Sequence, residues 1–238
     1  FVFNLGVQQK SKLIMVMNEG MSKSSHYSFT ALKKQLIDDE NLTLYGRIQP
    51  LLDNDPFNYD NSDFSWSDYF GHRGQINIIQ LSQFPASVKN AIIEFILWDL
   101  FNFSRSNADK HLIYPVFLDE VQNLDFNQES PVFKVLTEGR KFGWSGVFAT
   151  QSLSTIKGEI SSIYNAAEQI HFLPPESETR NIAKKLTSNS DLQKQMEQSL
   201  SVLQKGQCIV SGQSLNTQGK LNKTINIVNI DSMQSRLN

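Results

Sequence analysis

The stretch of residues 75–173 constrains this chain most, because short apolar runs alternate there with helix-length segments. Residues 76–81, 112–118, 145–150 and 168–173 read as strands. Residues 86–104, 131–142 and 153–167 read as the helices between them. Strand, helix, strand in succession is the pattern of a parallel sheet with right-handed crossovers. The chain is therefore predicted to be α/β, with a mainly parallel sheet and helices on both faces. Pro115 lacks an N–H and belongs near a strand start or beside a bulge. Pro85 and Gly143 suit a helix start and a helix end.

Two of these strands end in chemistry. Tyr114-Pro-Val-Phe-Leu runs into Asp119-Glu120, and Gly146-Val-Phe-Ala runs into Thr150-Gln151. In open α/β folds, ligands bind at the carboxyl ends of the strands. Adjacent acids at such an edge suit phosphoryl chemistry. The first can hold a magnesium ion through water, and the second can polarise an attacking water. Arg140-Lys141 closes the helix between the two strands.

Outside this region the readings are simpler. Residues 12–17 form a β-like apolar run, residues 28–38 an amphipathic helix, and residues 44–52 a short helix. Residues 1–74 read as an amino-terminal excursion or insertion packed on a core formed by 75–238. Residues 176–186 and 190–203 are helical, with Asn189 or Ser188 as cap of the second. Residues 207–211 and 224–228 are closing strands.

Composition excludes several classes. The net charge is −2, so no global basic field marks a nucleic-acid binder. A single cysteine, Cys208, rules out a disulfide framework and fits a reducing, cytoplasmic setting. His26, His72, His111 and His171 lack metal-ligand spacing. The longest apolar stretch, residues 91–103, contains Glu94 and Asp99 and is too short to cross a bilayer, so no membrane contact is expected. The chain opens Phe-Val-Phe without a methionine and reads as a piece of a longer protein.

The order of these features resembles the HerA/FtsK family of ring-forming DNA-motor ATPases and related conjugation ATPases. The features are strand-Asp-Glu, helix-Glu-Gly-Arg-Lys-Phe-Gly, strand-Ala-Thr-Gln and a closing Lys-Gly-Gln-Cys-Ile-Val-Ser-Gly strand. The likeness covers residues 75–230, and its overall texture is similar to the DptH-type branch linked to phosphorothioation-dependent restriction. It implies a RecA-like domain, here its carboxyl-terminal part without the phosphate-loop strand. It further implies ATP and Mg²⁺ as cofactors, a hexameric ring, DNA as substrate, and other restriction-system proteins as partners. By the same likeness Asp119 is the magnesium-site acid, Glu120 the catalytic glutamate, Gln151 the γ-phosphate sensor, and Arg140 a phosphate-reaching arginine assisted by Lys141. One departure is large. No Gly-x-x-x-x-Gly-Lys-Ser/Thr occurs in the 238 residues. These residues alone are therefore expected not to hydrolyse ATP, and a non-hydrolysing module for assembly or partner binding is the alternative. A GTPase-like switch is disfavoured because no Asn-Lys-x-Asp motif is present.

The same residues also have structural readings. Asp119-Glu120 can be polar residues at a strand end. Arg140-Lys141 suits the negative end of a helix dipole, and Gln151 can cap a following helix. Lys184-Lys185, Lys220 and Lys223 fit solvated faces. Phe57, Tyr59, Phe64, Trp66 and Trp144 fit packing, and Cys208 a small buried hydrophobe.

Overall fold

The computed structural model describes residues 2–57, 65–70, 74–107, 113–158 and 160–236. The expected strand start at Leu112, together with Tyr59, Phe64, His72 and His111, lies outside them. The chain forms two compact units, residues 1–116 with 129–145, and residues 117–128 with 146–238. Residue 74, the expected domain boundary, falls inside the first unit.

The first unit is mainly helical. Helices α1 (Val7–Lys23), α2 (Phe29–Asp38) and α3 (Leu42–Asn54) bury one stripe each. Val16, Leu32, Leu36, Leu44, Ile48 and Leu52 form their shared core. Ser28 starts α2 by accepting from the Ala31 N–H at 3.2 Å. A short helix, α4 (Ser67–Phe70), precedes α5 (Ala86–Asn107). Leu51 of α3 packs with Val88, Ala91 and Ile92 of α5, so α3 shares a core with α5. The expected strand at 12–17 is instead the middle of α1. Leu13, Val16, Met17 and Gly20 face inward at helical spacing, whereas Ile14 and Met15 are exposed.

Strand β1 (Tyr114–Leu118) enters a turn that carries the acids, followed by the two-residue β2 (Asp125–Phe126). Helix α6 (Pro131–Glu138) has Ser130 as its cap, bonded to the Phe133 N–H at 3.2 Å, and Pro131 at its first position. A 3₁₀ turn over Gly139–Phe142 then ends on Gly143 at φ 84°. Gly143 therefore closes the helical segment as expected, but residues 139–142 are 3₁₀ rather than α. Strand β3 (Trp144–Phe148) follows and hydrogen-bonds to β1. Trp144 Nε1 donates to the buried Ser104 hydroxyl of α5 at 2.9 Å, and Phe101 stacks edge-on against Phe142.

The second unit continues with β4 (Lys157–Gly158), β5 (Gln169–His171), α7 (Glu176–Leu186), α8 (Ser190–Ser201), β6 (Gln207–Leu215) and β7 (Leu221–Asn229). Asn189 caps α8 by accepting from the N–H groups of Asp191 and Leu192. Ile182, Ala183, Leu186, Leu200, Leu203 and Ile209 form the core between α7, α8 and β6. Cys208 is buried beside them in the sheet.

The α/β class holds, but the described strands do not form one mainly parallel sheet. β2 and β4 pair in parallel, whereas β5, β6 and β7 form an antiparallel three-stranded sheet. Two other expectations fail. Residues 76–81 are irregular, with Ile76 and Ile78 each 85% exposed, so their β propensity finds no hydrogen-bonding strand among the described residues. Residues 153–167 contain β4 and a 3₁₀ segment, Ile160–Asn165, rather than a long helix. Phe57 packs against Phe29 and Phe95, and the Trp66 Nε1–H donates to Asp99, so these aromatics serve packing.

Leu36 has no exposed surface and sits in the three-helix core. Leu36→Ala is expected to lower the unfolding free energy by about 2–5 kcal/mol. The exposed Ile14→Ala should change it by less than about 0.5 kcal/mol. Urea denaturation followed by helical circular dichroism checks both. Equal effects would remove Leu36 from the core.

Candidate functional site

The acids are set by how β1 meets β3. The Leu118 carbonyl accepts from the Ala149 N–H at 2.8 Å, and the Ala149 carbonyl accepts from the Val121 N–H at 3.0 Å. In a regular parallel ladder, one residue bonds two partners that are two positions apart. Here they are three apart, so the regular ladder ends at Leu118 and the acid turn carries one extra residue before the 3₁₀ turn at Val121. Glu120 takes up the extra length in the left-handed region, at φ 53° and ψ 41°. That conformation costs a non-glycine residue about 1–2 kcal/mol. Asp119 and Glu120 are both exposed, and Asp119 Oδ1 accepts from the Glu120 N–H at 2.8 Å.

Beyond the acids the chain is tied back firmly. Val121 is buried and begins a 3₁₀ turn, Val121–Asn123. β2 then pairs with β4 through Asp125–Lys157 and Phe126–Gly158. Gly158 has φ 101°, and a Cβ there would lie 2.7 Å from the Phe126 carbonyl carbon. Only glycine fits so close to a backbone that must pair.

The turn after β3 is tied to the same edge. Thr150 Oγ1 lies 2.8 Å from Gln122 Oε1 and 3.0 Å from the Ser152 carbonyl, and its single proton serves one at a time. It also accepts from the Ser152 N–H at 3.3 Å. Gln151 is exposed between these two anchored neighbours. The following residues close on the Glu178 carboxylate of α7. Leu153 N donates to Oε2 at 3.1 Å, Ser154 N donates to Oε1 at 2.9 Å, and the Ser152 hydroxyl also donates to Oε1. Burial by itself raises the Glu178 pKa. The bonds from Ser152, Ser154 and Leu153 outweigh it and hold the carboxyl below its ordinary value.

Within the second unit, then, Asp119, Glu120 and Gln151 gather at the carboxyl ends of two hydrogen-bonded strands. Arg140 and Lys141 belong to the first unit, where both are exposed on the 3₁₀ turn Gly139–Phe142. Gln151 caps no α-helix, because a 3₁₀ segment and β4 follow it. Lys184, Lys185, Lys220 and Lys223 are exposed, and the Lys185 ammonium lies over the Tyr164 ring at 4.9 Å. Among the described residues, no group of three or more His, Cys, Asp and Glu gathers as a metal centre, and no helix is long and apolar enough to cross a membrane.

Sequence reasoning passed over Gln122, Thr150 as a hydrogen-bonding partner, and Glu178. Glu178 looks like an ordinary acid in the first turn of a helix, where the dipole favours it. The signal that sets it apart is the hydroxyl-rich Gln151-Ser-Leu-Ser-Thr155 run upstream, whose donors need an acceptor.

No protein-family model matches this chain, and no curated protein matches it significantly.

The strained Glu120 backbone yields a test that separates structure from chemistry. Glu120→Gly is expected to leave the fold intact and to stabilise it by about 1 kcal/mol, since glycine adopts positive φ without penalty. Glu120→Ala gains no such relief. A glycine variant less stable than the alanine variant in urea denaturation would contradict the assigned conformation.

Proposed function

We propose that this chain is the carboxyl-terminal part of an ATP-driven DNA translocase of the HerA/FtsK type, working as a hexameric ring in DNA restriction or defence. One observation carries this reading. Asp119-Glu120 and Gln151 stand at neighbouring strand ends, joined through Ala149 and the Thr150–Gln122 bond. A RecA-like motor uses such an edge to present a metal-site acid, a water-activating acid and a polar sensor to a γ-phosphate. The proposed fold is accordingly a RecA-like domain lacking its phosphate-loop strand, with that loop carried by sequence outside these residues.

The roles follow from chemistry. Magnesium bound with nucleotide takes one or two carboxylates, with phosphate oxygens and waters filling the remaining positions. The exposed Asp119 carboxylate fits that role through water. Glu120 accepts the proton of the attacking water, and Gln151 hydrogen-bonds the γ-phosphate. The described residues contain no glycine-rich nest for the β-phosphate, so ATP binding depends on the loop supplied elsewhere. The absence of that motif also favours a second reading, a non-hydrolysing module that keeps this edge for assembly or partner binding.

In a protein joining this chain to an intact phosphate loop, Glu120→Gln is expected to reduce ATP turnover by about 10²–10⁴-fold. Nucleotide affinity should stay nearly unchanged. The amide keeps the shape but can neither take the proton nor carry the charge. Turnover above about a third of the wild-type rate would return Glu120 to a structural role and favour the second reading.

Arg140 is proposed to act across a subunit boundary. Its side chain is exposed on a short 3₁₀ turn. Arginines supplied in trans can contribute about 10³–10⁵ in rate. Arg140→Ala and Glu120→Gln proteins, each inactive alone, are expected to regain part of the activity when mixed. Some interfaces then hold an intact glutamate facing an intact arginine. No recovery, with subunit exchange confirmed independently, would put Arg140 in its own subunit's site. Wild-type turnover by Arg140→Ala would remove it from the chemistry.

A further inference from the structure

We propose that Glu178 is a positioning residue that fixes the Thr150–Gln151 turn in register with the acid turn at Glu120. The role of Gln151 rests on the ATPase reading above; the positioning itself does not.

Both oxygens of Glu178 are committed to the segment that follows Gln151. Oε1 accepts from the Ser152 hydroxyl and from Ser154 N, and Oε2 accepts from Leu153 N. The residue is only 6% exposed. A buried carboxylate is a costly way to hold a surface turn unless all its acceptor sites are used. Here three donors converge on it. The connection does not stop at the loop. Ser152 N donates to Thr150 Oγ1, and Thr150 Oγ1 reaches Gln122 Oε1, two residues beyond Glu120. Val121, between Glu120 and Gln122, is bonded to Ala149, two residues before Gln151. Downstream, the segment held by Glu178 leads into β4, whose partner β2 follows the acid turn. Gln151 thus lies on a backbone clamped on both sides, and each clamp connects to the chain around Glu120.

The contacts require a carboxylate at this position. Glutamine offers one acceptor oxygen and a donor NH₂ group. With donors on both sides, the amide nitrogen would face an N–H, and one donor would lose its partner. Aspartate keeps both acceptors but is one methylene shorter. The substitutions therefore separate charge and acceptor count from simple bulk.

The positioning is tested on the 238-residue chain without any activity, by amide NMR and hydrogen exchange. In Glu178→Gln, Leu153 or Ser154 should exchange at least about 10-fold faster. The Gln151 and Val121 amide resonances should shift with them. Glu178→Asp should fall between the wild type and Glu178→Gln. Thr150→Val cuts the hydroxyl connection without touching the buried carboxylate. It should move Gln151 and Gln122 while leaving the Leu153 and Ser154 protection in place, which keeps the test decisive if Glu178→Gln unfolds. Changes confined to residues 152–154 in Glu178→Gln, or a silent Gln151 in Thr150→Val, would overturn the proposal and leave Glu178 as a local staple.

A second arm reads function in the protein with an intact phosphate loop. Glu178→Gln should lower kcat with KM for ATP unchanged. Combined with Gln151→Ala, it should cost little more than Gln151→Ala alone. Independent, multiplying losses would overturn positioning through Gln151. An inactive wild type, or full turnover by Gln151→Ala, would instead defeat the ATPase reading, and the amide measurements would still decide the role of Glu178.

Discussion

The candidate site depends on Ala149. Its N–H holds the end of β1 at Leu118, and its carbonyl holds the chain again at Val121. Each bond contributes about 0.5–1.5 kcal/mol net, a modest amount, but together they fix geometry. Because the two residues bonded to Ala149 are three positions apart rather than two, the backbone between them cannot continue as a regular strand. Asp119 and Glu120 are pushed out of the ladder into solvent. Their exposure is thus a consequence of pairing rather than of a loose end. The same residue precedes Thr150 and Gln151, so the two turns share one anchor.

Some of this was legible in the sequence because the local chemistry is unambiguous. Asn189 caps a helix where a short polar side chain precedes a helical pattern, and Gly143 closes the segment after α6 with positive φ. The end of β1 at Leu118 was also readable, since the apolar run stops at Asp119, whereas β3 ends at Phe148, two residues short of the expected Thr150. What failed did so for physical reasons. Lys12-Leu-Ile-Met-Val-Met17 is apolar enough for a strand, and only its neighbours reveal the helical stripe that continues to Gly20. Residues 76–81 have strong β propensity, yet a strand is defined by a partner, which no local pattern reports. Residues 152–158 have a helical apolar spacing, but Ser152, Ser154 and Thr155 turn their hydroxyls to nearby groups, and Gly158 takes a conformation no helix contains. The extra residue at Glu120 was invisible because it depends on how two segments pair, not on either alone. Glu178 was hidden for a related reason: its partners lie about 25 residues upstream.

The two units divide the expected site. Asp119, Glu120 and Gln151 belong to one unit, and Arg140 and Lys141 to the other. The first three are held by backbone bonds and a buried carboxylate, so their mutual placement is a property of one folded body. The basic pair sits on a short 3₁₀ turn whose ends are fixed by packing. Gly139 lies against Trp144, where an added Cβ would approach the Trp144 Cβ to 3.0 Å, and Phe142 rests on Phe101. Between these two anchors Arg140 and Lys141 are exposed. Such a turn can present cations outward with little freedom at its base. That arrangement suits an arginine reaching a neighbouring subunit as well as one solvated for solubility, and the rate of mixed assemblies distinguishes the two uses.

The conformation of Glu120 bears on the choice between a motor and a non-hydrolysing module. A turn that needed this conformation only for structure would be served better by glycine or asparagine, which enter the left-handed region at lower cost. Glu120 is one of four described non-glycine residues at positive φ, with Asn4, Glu40 and Asp55. Strain of this kind persists when the surroundings over-determine it, and it clusters at functional sites. Here the surroundings do over-determine it: Leu118 and Val121 are both bound to Ala149, and β2 is pinned by β4 beyond. Asp119 Oδ1 further holds the Glu120 N–H, so the first acid helps to set the second. Glu40, at φ 56° in the turn after α2, takes the same conformation, so strain alone does not set Glu120 apart; its exposed carboxylate on a backbone held from both sides does.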